Sequence, residues 1–164
     1  MKRFRIEIKW AIVFVIVSLI WMEGEKLLGL HSSHIDKYLY FKNLFAIPAI
    51  LIYFLALRDK NLHYYSGKMR YMQGLWSGLF LSLIVTVLIP LSQFITFTVI
   101  SPDYFSNFIQ YAVENGQMEQ SEAESYFSLG NFIFIGMFSA PILGIVTSAF
   151  VSIFVRTKTQ ASNQ

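Results

Sequence analysis

Four apolar runs, at about residues 8–30, 38–57, 74–100 and 129–155, decide what this chain can fold into. A bilayer core of ~30 Å needs about 20 mostly apolar residues at ~1.5 Å rise each, and all four runs are long enough. The last two are long enough to tilt. None alternates apolar with polar residues, so the strand pattern of an outer-membrane barrel is excluded. Only 14% of the 164 residues are charged and 55% are hydrophobic, whereas ordinary soluble domains carry about a quarter charged residues. The sequence therefore predicts an all-α fold: one membrane domain over residues 1–164, an integral four-helix bundle.

The start, MKRFRIEIKWAIVFVIVSLIWMEGEK, has the basic head and apolar stretch of a secretory signal. Bulky Trp21 and Met22, then charges, stand where a small-residue cleavage site belongs, so this segment reads as a retained first span.

Orientation follows from the Lys/Arg count in short loops. Lys2, Arg3, Arg5 and Lys9 flank the first run, Arg58, Lys60, Lys68 and Arg70 lie between the second and third, and Arg156 and Lys158 follow the fourth. Ten of the thirteen basic residues thus fall on one side, and only Lys26, Lys37 and Lys42 on the other. The expected location is the bacterial cytoplasmic (inner) membrane, multi-pass, with both termini inside. Trp10, Tyr53, Tyr64, Tyr65, Tyr71 and Trp76 suit the inner interface, and Tyr38, Tyr40, Tyr104, Tyr111 and Tyr126 the outer one, because amphipathic rings prefer headgroup depth.

The outer segment 101–128 carries five acids and no base. Ser101, Pro102 and Asp103 form a helix start, and Gly116 a stop. Phe105, Phe108, Ile109 and Ala112 share one helical face, and MEQSEAESYFSL reads as a second short helix. The expectation is a helical hairpin on the outer face with its apolar side on the membrane; a solvated acidic loop with local helix is the alternative.

Small residues recur every four positions at Gly74, Gly78, Ser82, Thr86 and Pro90, and again at Gly136, Ala140, Gly144, Ser148 and Ser152. Such stripes let helices approach closely in lipid. They predict packing of the third run on the fourth, or a stripe used for a homodimer. Pro48, Pro90 and Pro141 lie inside spans and read as packing kinks.

Polar groups gather in the outer third of the spans. Glu23, Glu25 and Lys26 end the first, Lys42 and Asn43 begin the second, Gln93 lies near the end of the third and Asn131 in the first turn of the fourth. The inner half offers only hydroxyls such as Ser82, Thr86, Thr147 and Ser148, which can bond their own helix carbonyls. A coupled transporter needs ionisable groups near the midplane, so transport by a single chain is disfavoured. Two readings remain for the outer layer: a vestibule with Glu23 as its deepest charge, or internal pairing of Glu23 with Lys26 or Lys42, which is favoured.

HSSHID sets His31 and His34 three apart near Asp36. A metal site needs three or four ligands, and two are suggested, so exposed loop histidines are the default and no metal or other cofactor is expected. The absence of cysteine removes disulfides, thiolate catalysis and cysteine-based metal sites. No G-x-S-x-G, Walker A, G-x-G-x-x-G or H-E-x-x-H pattern is present, and the basic residues form no nucleic-acid stripe.

At KNLFAIPAILIYFLALRDK, MQGLWSGLFLSLIVTVLIPLSQ, ISPDYFSNFIQYAVENGQMEQSEAESYF and GIVTSAFVSIFVRTK the chain resembles the small bacterial membrane proteins catalogued as domain of unknown function 4199. The resemblance spans nearly the whole chain and implies a four-span inner-membrane protein with no family catalytic residues to carry over. The leading expectation for function is a non-enzymatic membrane protein acting through a partner or self-association: membrane lipids, a homodimer or another membrane protein, and no nucleic acid. A transporter working as an oligomer, and an outer-face sensor or lipid-binding module using the vestibule, are the alternatives.

Overall fold

The computed structural model describes residues 4–157; Lys2, Arg3 and Lys158, part of the basic flanks counted above, lie outside the described residues. The described chain is all-α. Four long helices, α1 (Arg5–Leu27), α3 (Ala46–His63), α4 (Tyr71–Ile95) and α7 (Leu129–Val155), make a bundle. Shorter α2 (Tyr38–Leu44), α5 (Tyr104–Glu114) and α6 (Gln120–Tyr126) lie at one end of it.

Among the described residues three segments are long and apolar enough to cross a membrane: Ile35–His63, Tyr71–Ile100 and Leu129–Val155. α1 is comparable at 23 residues, but charges at both of its ends set it apart. Its uncharged stretch runs from Trp10 to Met22. The second segment differs most from the sequence expectation. Its helix does not stop near residue 57 but continues to His63. The reason is a core stripe, Tyr53, Ala56, Leu57 and Lys60, in which helical spacing carries burial through the charged residues.

α4 packs most extensively on α7, α1 packs on α4, α3 on α7, and α1 against α3 closes the ring. Along the α4–α7 seam Gly74 meets Ser152, Gly78 meets Ser148, and Gly144 meets Ser82. Each step of four down one helix is matched by four up the other, as antiparallel helices require. A Cβ on Gly78 would overlap Ser148, and one on Gly144 would overlap Ser82. The backbones therefore approach within a distance that only glycine allows. Gly74, Gly78 and Ser82 of one stripe and Gly144, Ser148 and Ser152 of the other are thus packed inside one chain.

Large apolar residues cover the outward faces. On α7, Phe134, Phe138, Ile142, Val146, Phe150 and Phe154 are all exposed, while Ser148 and Ser152 are buried. A water-soluble helix shows the reverse. With the three apolar helices, this inside-out pattern makes the chain a membrane protein.

Asn61 ties one end of the bundle together: its Nδ2–H₂ donates to Val155 O at 2.8 Å, and its Oδ1 accepts from Met69 N at 3.0 Å. At the other end α4 finishes in a π turn, Thr96–Ile100, closed by Ser101 N–H donating to Thr96 O at 2.8 Å. α5 stops where Gly116 takes φ +63°.

The α5–α6 hairpin does not turn its apolar face to the surroundings. Tyr104, Phe108 and Ala112 are buried against the bundle end, in an aromatic cluster with Tyr38, Phe97, Phe127 and Phe132. Tyr104 stacks on Phe108 with centroids 4.3 Å apart and its hydroxyl donates to that of Tyr38 at 2.9 Å. Tyr38 and Tyr53 are core residues of the chain, 7% and 5% exposed.

Candidate functional site

Helix phase decides which of the α1 charges point inward. Glu7 and Glu25 are eighteen residues apart, five full turns at about 100° per residue. They share the face that buries Ala11, and both are buried themselves. Glu23 is about 200° away from Glu25 by the same count and only half-buried. The deepest carboxylate of this end is therefore Glu25, not Glu23. Among the described residues no ion pair joins Glu23 to Lys26 or Lys42.

Glu25 is held from two sides. Trp21 Nε1–H, one turn earlier, donates to Oε1 at 2.7 Å, and His31 Nε2 lies 3.5 Å from Oε2. His31 is 2% exposed and its Nδ1 lies 3.1 Å from Ser101 Oγ. The hydroxyl expected to cap α5 thus serves His31 instead. Asn107 on α5 donates to His31 O at 2.8 Å, so the hairpin fixes the loop that carries the imidazole. Tyr104 packs edge-on against the same ring at 4.9 Å. Burial, with Tyr38 and Glu25 nearby, pushes the Tyr104 phenol well above its ordinary pKa of 10.

Beside Glu25 a cavity of about 340 Å³ opens among α1, α2, α4 and α7. Its aromatic walls include Trp21, Tyr38, Phe45, Phe97, Tyr126 and Phe132, and its polar groups include Glu25, Lys42 and Gln93. The π turn supplies Thr96 and Phe97 to the wall; such widened turns recur at functional sites.

Of the outer polar layer read from the sequence, Lys42 and Gln93 line this cavity and Glu23, Lys26, Asn43 and Asn131 do not. Lys26 is exposed. Asn43 donates to Leu39 O on its own helix at 3.0 Å, and Asn131 to Tyr126 O at 2.8 Å. Of the packing residues, Gly74, Gly78, Ser82, Gly144 and Ser148 meet on the α4–α7 seam. Gly136 faces Ile89 on α4, near Gln93; Ala140 is half-buried on α7.

Ser101, His31 and Glu25 form a hydrogen-bonded series with the residue types of a hydrolytic triad. Neither Ser101 nor His31 lines the cavity, and Ser101 is 4% exposed. His34 bonds Ser33 at 3.1 Å and does not join His31. Among the described residues no three metal-ligating side chains converge.

A second buried cluster lies at the opposite end of the bundle, where the sequence pointed only to hydroxyls. Lys60 Nζ sits 2.9 and 3.1 Å from the two oxygens of Glu7, and Ser77 Oγ–H donates to Glu7 Oε1 at 2.7 Å. Lys60 also lies 4.1 Å from the centre of the Tyr64 ring. Both charges are 3% exposed. The readable signal was spacing: Lys60 completes the stripe Tyr53–Ala56–Leu57, and Glu7 sits five turns before Glu25.

Compared with known proteins, the chain matches the family model described as Protein of unknown function (DUF4199) over residues 9–157. No curated protein and no solved structure matches it.

Proposed function

The chain belongs to the DUF4199 family, and on that footing we propose that it is a non-enzymatic, multi-pass protein of the bacterial cytoplasmic membrane that binds a small amphiphilic molecule in its Glu25 cavity. The observation that carries this reading is the cavity itself: about 340 Å³, aromatic-walled, with a buried carboxylate at its edge. Ligand sites are concave, mostly apolar and furnished with few polar groups.

In this reading α1 is a fourth span and both termini face the cytoplasm. The Lys/Arg distribution supports the orientation, and α1 packing on both α3 and α4 supports its passage through the bilayer. The chain has no cysteine, so single thiols can be read cleanly. Ser121→Cys should react with an impermeant maleimide on intact spheroplasts, and Lys68→Cys only after permeabilisation. The reverse pattern would overturn the topology.

For self-association the part of the stripes at Gly74, Gly78, Ser82, Gly144, Ser148 and Ser152 is less apt, because α4 and α7 pack it on each other. Transport is also less well supported than binding: Tyr53, Leu81, Val85 and Val151 fill the other half of the bundle. Binding is tested by mass spectrometry of the protein released from native lipid. A molecule retained by the natural chain should be lost from Ser139→Trp, which fills the cavity wall. Equal retention by both would place the ligand elsewhere and end this reading.

A further inference from the structure

The charges of the cavity come as a pair of opposite sign. Glu25 is buried and brings a carboxylate to the cavity, with Oε2 making, among the described residues, only the long 3.5 Å contact to His31. Lys42 stands exposed at the open side, its ammonium 5.8 Å from the centre of the Tyr38 ring. No carboxylate of the described residues lies within ion-pairing distance of it. Gln93, also lining the cavity, brings an amide with no side-chain hydrogen bond among the described residues.

Each simpler ligand leaves part of this arrangement unanswered. An anion would bring a second negative charge beside buried Glu25, which is costly at low dielectric. A plain cation would answer Glu25 and the aromatic faces but would meet Lys42 with like charge. An uncharged hydrocarbon would leave the Glu25 carboxylate and the Gln93 amide facing apolar atoms. A molecule with both charges satisfies all of them. Resting on the binding reading above, we propose that the cavity takes a zwitterion of the phosphoethanolamine type. Its ammonium sits against Glu25 and the rings of Trp21 and Phe45, and its phosphate is held by Lys42 and the Gln93 amide. This chemistry is offered both by a membrane phospholipid headgroup and by a free phosphoethanolamine.

The test uses the purified, delipidated full chain and isothermal titration with three probes: a short-chain phosphatidylethanolamine, a short-chain phosphatidylglycerol and free O-phosphoethanolamine. The zwitterionic lipid should bind at least tenfold more tightly than the anionic one. Glu25→Gln should erase that preference, and Lys42→Gln should weaken both lipids. Binding of the free compound as tight as that of the lipid would assign a soluble ligand; binding of the lipid alone would assign the membrane. Lys42 is exposed, so its variant stays informative even where Glu25→Gln fails to fold. Equal binding of the two lipids, with Ser139→Trp abolishing both, would overturn the zwitterion while leaving a binding cavity. Binding of all three probes unaffected by Ser139→Trp would overturn both; no binding of any would overturn the zwitterion, with the binding reading decided by the mass spectrometry above.

Discussion

Glu7 and Lys60 are each 3% exposed and hold one another through both carboxylate oxygens. Removing Lys60 takes the counter-charge from the buried Glu7 carboxylate, and breaking a buried pair in this way typically costs about 3–5 kcal/mol. We expect Lys60→Met to lower the unfolding midpoint in detergent sharply, and Lys60→Met with Glu7→Gln to recover most of it. A double variant no better than the single would contradict the pairing. Tyr104 supplies a second residue-scale prediction. Its folded pKa is raised by burial, then by Tyr38 and Glu25, so the neutral phenol belongs to the folded state. The stability it contributes is complete below its ordinary value of 10 and is lost as pH climbs above that value. Tyr104→Phe should cost about 1 kcal/mol at neutral pH for the hydrogen bond to Tyr38 and should flatten the alkaline loss of stability. Chemical denaturation between pH 7 and 11 reads both effects, and an unchanged alkaline slope would refute the second.

At the scale of elements, the α4–α7 seam is the contact with least tolerance. Gly78→Ala would drive its new methyl into Ser148, and overpacking of this kind costs about 1–3 kcal/mol. Combining it with Ser148→Gly should restore the loss, whereas Gly130→Ala, where a methyl meets nothing within 4 Å, should be neutral or slightly stabilising. Thermal unfolding of the three variants checks this; no recovery in the double variant would mean that the helices are not in this register. Much of the element layout was legible: apolar length marked three segments, and four-residue spacing marked the faces of α4 and α7. The candidate site was less so. Depth along a span could be counted, which brought Lys42 and Gln93 forward, but depth does not give rotation. Glu23 and Glu25 lie at nearly the same depth and face opposite ways. Nor could the sequence show that α5 folds back onto Phe97 and Phe132, because an apolar helical face looks the same whether lipid or protein covers it.

Across the whole molecule, packing is uneven. One half is closed by glycine–serine contacts and the Glu7–Lys60 pair, and the other opens into the cavity beside a π turn. We expect amide hydrogen exchange in micelles to be slowest around residues 78–85 and 144–151 and distinctly faster over 92–100. Uniform protection would argue against this division. α1 carries a further consequence. Its two inward carboxylates lie about 27 Å apart at ~1.5 Å per residue, close to the ~30 Å thickness of the hydrocarbon. During synthesis α1 emerges before the partners that later segments bring to these carboxylates: His31, Lys60 and Ser77 all follow it in the chain. Until they arrive, Glu7 faces lipid or water and Glu25 is met from its own helix by the Trp21 N–H. α1 should therefore settle only after the helices that follow it, and ribosome-stalled chains ending before Lys60 should release it to alkaline extraction. Chains long enough to include α4 should keep it.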